Sequence, residues 1–221
     1  MDLHDEAAGG PWPAFADLLG ATTLLFLILF AAVAVPALRR ASAADARENT
    51  LETLEQKLTD TGERRNVDVL RVGDYLLVRI EGDATFPKDR FALSDLKPEG
   101  KQILRELGVS LHRDSLLSLI DQVHVVGHTS SEGTEERNWI LSASRAATVS
   151  LFLIDSVRIP PCQVSALGRS RYYPVNPGAA RRSGVANQED RRIEMEIRPV
   201  VVGDTVQIGR RSNCVAKRLR P

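Results

Sequence analysis

The longest apolar run stands near the start of the chain, where Leu18 to Leu38 contains no charged side chain. As a helix it measures roughly 31 Å, matching a hydrocarbon core of about 30 Å. The residues ahead of it, MDLHDEAAGG, are acidic rather than the basic start of a cleaved signal peptide. The pattern therefore predicts a short tail over 1–12 and a retained transmembrane helix over 13–38, with Pro11 and Pro13 suited to its first turn. Arg39 and Arg40 follow, and then ASAADARENTLETLEQKLTD, where Leu51, Leu54 and Leu58 recur at helical spacing. That spacing predicts a linker helix over 39–66, which either pairs with a copy of itself or stands solvated.

Beyond the linker the period changes. DYLLVRIEG alternates as a strand does, and SDLKPEGKQILRELGVSL returns to helical spacing through Leu96, Ile103, Leu104 and Leu107. QVHVVGH reads as a short buried strand, NWILSASRAATVSLFLIDSV as a second helix and QVSALGRS as a further strand. DRRIEMEIRPVVV closes the series with Ile193, Met195 and Ile197 on one face. The order β-α-β-α-β-β over 67–200 predicts an α/β sandwich with helices on one side of the sheet. A basic tail over 201–221 carries a possible small strand, GDTVQIG.

Composition narrows the function. The net charge is zero, which argues against nucleic acid as a partner. The two cysteines, Cys162 and Cys214, match no zinc or haem spacing, so no metal or cofactor is expected. No catalytic triad or phosphate loop appears, and the chain does not read as an enzyme.

The stretch from Val123 to Ile159 leaves a strand, turns and enters a helix. Projected at ~100° per residue, Asn138, Leu141 and Arg145 fall within about 60° of one another. Ala143, Ala146, Ala147, Ile154 and Val157 form a separate apolar arc expected to face the sheet. Arg145 is then held off the core near the Gly127–Gly133 turn. There it is either a two-pronged clamp for a carboxylate or a solvated surface arginine.

GHTSSEG, NWILSASRAATVSLFL, ALGRSRYYPV and NQEDRRIEMEI stand in an order that resembles the OmpA-like peptidoglycan-binding domain, over roughly 70–200. DATF at Asp83–Phe86 fits that family's opening strand and turn. The resemblance implies a site for the diaminopimelate of the peptidoglycan stem peptide. In it Arg145 grips the ligand carboxylate, with Thr129, Asn138, Leu141 and Arg192 in support. The family reads Gly-His-Thr-Asp where this chain has Ser130, which accepts a hydrogen bond but supplies no charge for the ligand ammonium. Glu132, two residues on, is a candidate substitute.

Asp17 opens the apolar run, behind Trp12, in a stretch that resembles the spans of MotB, the flagellar stator subunit, and of ZorB from the Zorya anti-phage system. In those families the aspartate carries ions, two copies sit inside a ring of five MotA or ZorA subunits, and the folded domain is periplasmic. The resemblance thus implies a homodimer in a 5:2 complex, with the N-terminus cytoplasmic and the C-terminal domain at the cell wall. Arg39, Arg40 and Arg47 alone would favour the opposite orientation. The short linker and the absence of a basic N-terminal cluster favour a ZorB-like subunit over a MotB-type stator. A non-conducting tether, with Asp17 as an interfacial helix cap, is the reading of another class. Thr22 and Thr23 either line an ion path or satisfy the helix backbone. A periplasmic domain would let Cys162 and Cys214 form a disulfide.

Overall fold

A computed structural model describes residues 11–65, 67–176 and 187–200, in two compact units that divide after Asp45. Helix α1, Trp12–Glu63, begins in the first unit and ends in the second. Its N-terminal part is long and apolar enough to cross a membrane. Phe26, Leu27, Ile28, Leu29 and Phe30 all stand exposed. A contiguous apolar surface of that size is tolerated in lipid and not in water. The hydroxyl of Thr22 donates to Leu18 O at 2.9 Å, and that of Thr23 to Leu19 O at 2.7 Å, so both satisfy their own helix backbone.

The second unit is a mixed α/β fold. Strands β1 (Asp68–Val72) and β2 (Tyr75–Glu81) form a hairpin, and a single helical turn, α2 (Gly82–Thr85), follows. Then come α3 (Pro98–His112), β3 (Ile120–His128), α4 (Glu135–Asp155), β4 (Val164–Gly168) and β5 (Arg192–Pro199). The sheet order is β1-β2-β5-β3-β4, parallel only between β3 and β4. The helices and strands read from the pattern are present. Strand β1, an edge strand with four of its five residues exposed, was not anticipated, because a sequence without a buried face shows no clear alternation. DATF forms the turn of α2 with its flanking Phe86, not a strand. GDTVQIG lies outside the described residues.

Alternation along the strands divides the sheet into two faces. Leu76, Val78 and Ile80 of β2, Val123 and Val125 of β3, and Ile193, Met195 and Ile197 of β5 enter one apolar core with Ile103, Leu104 and Leu107 of α3 and Val149, Phe152 and Leu153 of α4. Leu51, Leu54 and Leu58 belong to the same core and are buried. The expectation that they pair with a second copy or stand in solvent is corrected: residues 46–63 pack into their own folded unit.

The opposite face of the sheet is polar but tightly paired. Glu194 accepts from Arg192 Nε at 2.7 Å and Arg79 Nε at 3.3 Å, and lies 3.0 Å from His128 Nε2. Glu196 accepts from Arg169 at 3.0 Å and Arg198 at 3.3 Å. Buried carboxylates persist only when matched in this way.

Candidate functional site

The site grows from the junction of β3 and α4. At Gly127 the strand runs so close to α4 that a Cβ would stand 2.1 Å from Ser142 O, so only glycine admits the contact. The chain then turns through Thr129–Gly133, with Gly133 at φ +83°. Thr134 caps α4, its hydroxyl accepting from Arg137 N at 3.3 Å, while Glu135 and Glu136 complement the helix dipole. Asn138, buried, folds back to donate to Glu132 O at 2.8 Å and Ser130 O at 3.4 Å, which fixes the turn on the helix.

Arg145 is not held off the core. It is only 3% exposed: Nε donates to Arg90 O and Nη2 to Pro87 O, each at 2.9 Å, and the guanidinium lies 5.5 Å from the Phe86 ring centroid. The projected apolar arc is also corrected. Ala143 and Ala147 are exposed, and the face on the sheet runs through Asn138, Leu141, Ser142, Arg145, Ala146, Val149, Phe152 and Leu153. Bulk decides the face: Val149, Phe152 and Leu153 bury far more apolar surface than the alanines would, and the stem of Arg145 turns inward with them. Arg145 therefore anchors the loop after α2. Two ion pairs tie that loop to the turn: Lys88 to Glu132 at 2.9 Å, and Asp89 to Arg137 at 3.2 Å.

Arg192 and its neighbour point to opposite sides of the sheet. Arg192 lies on the face away from the helices, bonded to Glu194 and to Tyr173 O at 2.9 Å. Arg191 instead meets Asp83 at 3.3 Å, and Gln188 bonds the same carboxylate. Burial works to raise the Asp83 pKa, but the bonds from Gln188 and Arg191 outweigh it and hold the group below its ordinary value. Burial first, and then the charge of Arg191, pull the Arg145 guanidinium below its ordinary value. Lys88 lowers the pKa of Glu132, with a smaller contribution from Arg191. Arg191, Lys88 and Asp89 were missed by sequence reasoning. Only the alternation of β5 after Arg191 could have marked the first of them.

The loop after α2 and the turn before α4 thus bring together cations (Arg145, Arg191, Lys88) and anions (Glu132, Asp83, Asp89). Thr129 and Ser130 are buried in the turn, and the Thr129 hydroxyl has no hydrogen-bond partner among the described residues. Leu141 is buried on the same helix face. Charges of both signs gather at this turn, the chemistry that a zwitterionic ligand requires.

Two further sequence-derived positions lie apart from this cluster. Asp17 sits in α1, beyond its first turn, and is exposed. Cys162 is disulfide-bonded, while Cys214 lies outside the described residues. No group of three or more metal-ligating side chains occurs among the described residues.

Residues 85–191 match the model of the OmpA family. Outer membrane protein A of Bordetella avium is 36% identical over 107 residues, 48% of this chain and 51% of that protein. The chain thus spans about half the length of that curated relative. Among solved structures, the cell wall anchor of the T6SS from Pseudomonas aeruginosa is similar, with 25% identity and a TM-score of 0.53. The match covers 66% of this chain and 97% of that one. A MotB-like protein from Desulfovibrio vulgaris shares the fold, with 18% identity and a TM-score of 0.58, covering 74% of this chain and 99% of that one. Residues 85–191 are thus similar to the OmpA family, in a chain whose N-terminal helix is long and apolar enough to cross a membrane.

Proposed function

We propose that the chain is a single-span inner-membrane protein whose periplasmic OmpA-like domain grips the peptidoglycan stem peptide, and whose Asp17 relays ions. In this reading it is the ZorB-like subunit of an ion-driven motor for phage defence, paired within a ring of five ZorA- or MotA-like subunits. The observation that carries the wall-binding half is the cluster of charges between the loop after α2 and the turn before α4. There a buried arginine and a second arginine stand near a turn that carries Glu132 and the Thr129 hydroxyl, unpartnered among the described residues. Diaminopimelate presents carboxylates and an ammonium, the complement of that pattern. Glu132 supplies the negative charge that Ser130 lacks, exchanging Lys88 for the ligand ammonium. Similarity to a T6SS cell wall anchor supports the same ligand.

The ion-relay half rests on Asp17. Beyond the first turn of α1 it gains little from the helix dipole, which acts within that turn. An acid at the mouth of a lipid-facing run costs free energy, and such groups are seldom kept without a task. A MotB-type flagellar stator has the same chemistry and differs in its partners. The wall-binding half is tested by co-sedimentation of the full chain, in detergent, with purified sacculi. Wild type should sediment, Glu132→Gln should bind less, and Ser130→Asp should bind more. A wild type that stays in the supernatant would remove peptidoglycan as the ligand.

A further inference from the structure

Two exposed aromatic rings pair beside the turn before α4. Trp139, the one tryptophan of the folded unit, and Tyr172 stand with ring centroids 6.0 Å apart and planes tilted by 35°. Trp139 is 44% exposed and Tyr172 51%, so the pair presents ring surface to solvent rather than to the core. Tyr172 is held in place by its hydroxyl, which donates to Glu135 Oε1 at 2.5 Å. The loop that carries it is tied to the turn and to α4: Thr129 N donates to Ser170 O at 3.0 Å, and Ser170 N to Ser142 Oγ at 3.1 Å. On α4, Trp139 follows Asn138, whose amide fixes the same turn. We infer that Trp139 and Tyr172 form a sugar-binding platform, on which a pyranose ring of the peptidoglycan glycan strand stacks while its stem peptide lies at the turn.

The platform extends the wall-binding reading, on which it rests, from the stem peptide to the glycan. A pyranose is apolar on its ring faces, where C–H groups point outward, and polar around its rim, where the hydroxyls lie. The face of an aromatic ring carries partial negative charge and attracts those C–H groups. The surroundings match the rim. Glu135 and Glu136 lie one turn before Trp139 on the helix, and the Arg171 guanidinium stands 6.0 Å from the Tyr172 ring centroid. A protein partner fits less well, because two rings bordered by charges fall far short of the roughly 800 Å² that each side of a standard interface buries. The stem peptide also sets the reach. It is covalently joined to the glycan, and each extended residue spans about 3.3–3.6 Å. A peptide held at Thr129–Gly133 therefore brings its sugar within a few residues' length of Trp139.

Titration of the full chain by saturation-transfer NMR tests the platform, in a detergent whose head group is not a sugar. Two probes separate the glycan from the peptide: a tetramer of N-acetylglucosamine, which has no peptide, and diaminopimelate, which has no sugar. Wild type should bind both. Trp139→Ala and Tyr172→Ala should each bind the tetramer about two- to tenfold more weakly, the range for one aromatic contact, and diaminopimelate as before. Trp139→Phe, which keeps a ring, should lose less than the alanine variant. Leu151→Ala, similarly exposed about three turns further along α4, should bind both probes as wild type does. A wild type that does not bind the tetramer would overturn the inference, as would alanine variants that bind it at full strength. Binding of diaminopimelate in either case leaves the stem-peptide reading standing. Binding of the tetramer alone, lost in the alanine variants, would instead keep the platform and remove the stem-peptide reading.

Discussion

Replacing Arg145 by alanine tests whether it anchors the loop after α2. The side chain is buried, gives hydrogen bonds to Pro87 O and Arg90 O at 2.9 Å each, and stacks over Phe86. A hydrogen bond from a charged group contributes about 1.5–3 kcal/mol, and a partly buried cation–π contact about 1 kcal/mol. Residues 87–90 are exposed, so water replaces part of what the two carbonyls lose, and the desolvation cost of the guanidinium is returned. The net destabilisation is then about 2–3 kcal/mol, or roughly 5–10 °C in Tm at 2–4 °C per kcal/mol. Arg145→Lys keeps the charge but loses the fork, and should fall in between. Thermal unfolding of the full chain in detergent gives the shift, and hydrogen exchange locates it: amides of 87–92 should lose protection first. An Arg145→Ala protein with an unchanged Tm and an equally protected loop would refute the anchoring role. In that case Arg145 would serve the ligand alone.

Two further outcomes follow from the core and from the paired face of the sheet. Leu54→Ala, at a site with no exposed surface, should cost about 2–5 kcal/mol of domain stability in chemical denaturation. No effect would return residues 46–63 to the status of a linker. Burial opposes ionisation of Glu194, but bonds from His128 and Arg192 hold its pKa at about 2, against 4.5 ordinarily. A depressed carboxylate stabilises the fold above pH 4.5 and loses that contribution as pH falls toward 2. The loss is on the order of 3 kcal/mol, and Glu194→Gln should flatten it in urea titrations across that window. His128 carries the opposite influences of burial, which lowers its pKa, and the Glu194 carboxylate, which raises it. Burial, aided by Arg192 and Arg169, prevails, so His128 stays neutral below its usual range and acidification below pH 6.5 already weakens the fold.

Elements whose side chains have one clear destination were legible in the sequence. The alternation of β2 and β5 and the helical spacing of α3 name their own buried faces, and the turn after His128 announces itself by composition. Helix α4 was harder, because it has apolar residues on two sides and counting alanines pointed to the exposed one. Arg145 followed from that error: it was expected off the core, as a carboxylate clamp or a solvated arginine, although its guanidinium donates to backbone carbonyls 55 and 58 positions away. The other charges of the cluster come from a loop that only tertiary structure brings to the turn. Arg191 and Arg192 show the limit most plainly, since the arginine just before β5 pairs with Asp83 and the one that opens β5 pairs with Glu194, and the motif does not say which lies nearer the turn. Leu51, Leu54 and Leu58 were recognised as one face, but not as the face of this domain's own core.

The central claim is that Asp17 carries ions, and Asp17→Asn tests it most directly. Asparagine keeps the size and polarity but neither gains nor loses a proton near neutral pH. The measurement is ion uptake by membrane vesicles holding the chain with the MotA- or ZorA-like subunit proposed as its partner, at matched expression and assembly. The account predicts normal insertion and assembly with no flux above the partner-only background. An interfacial cap contributes only about 1 kcal/mol, so a passive tether would tolerate the change. Flux at the wild-type level in Asp17→Asn vesicles would contradict the ion-relay reading.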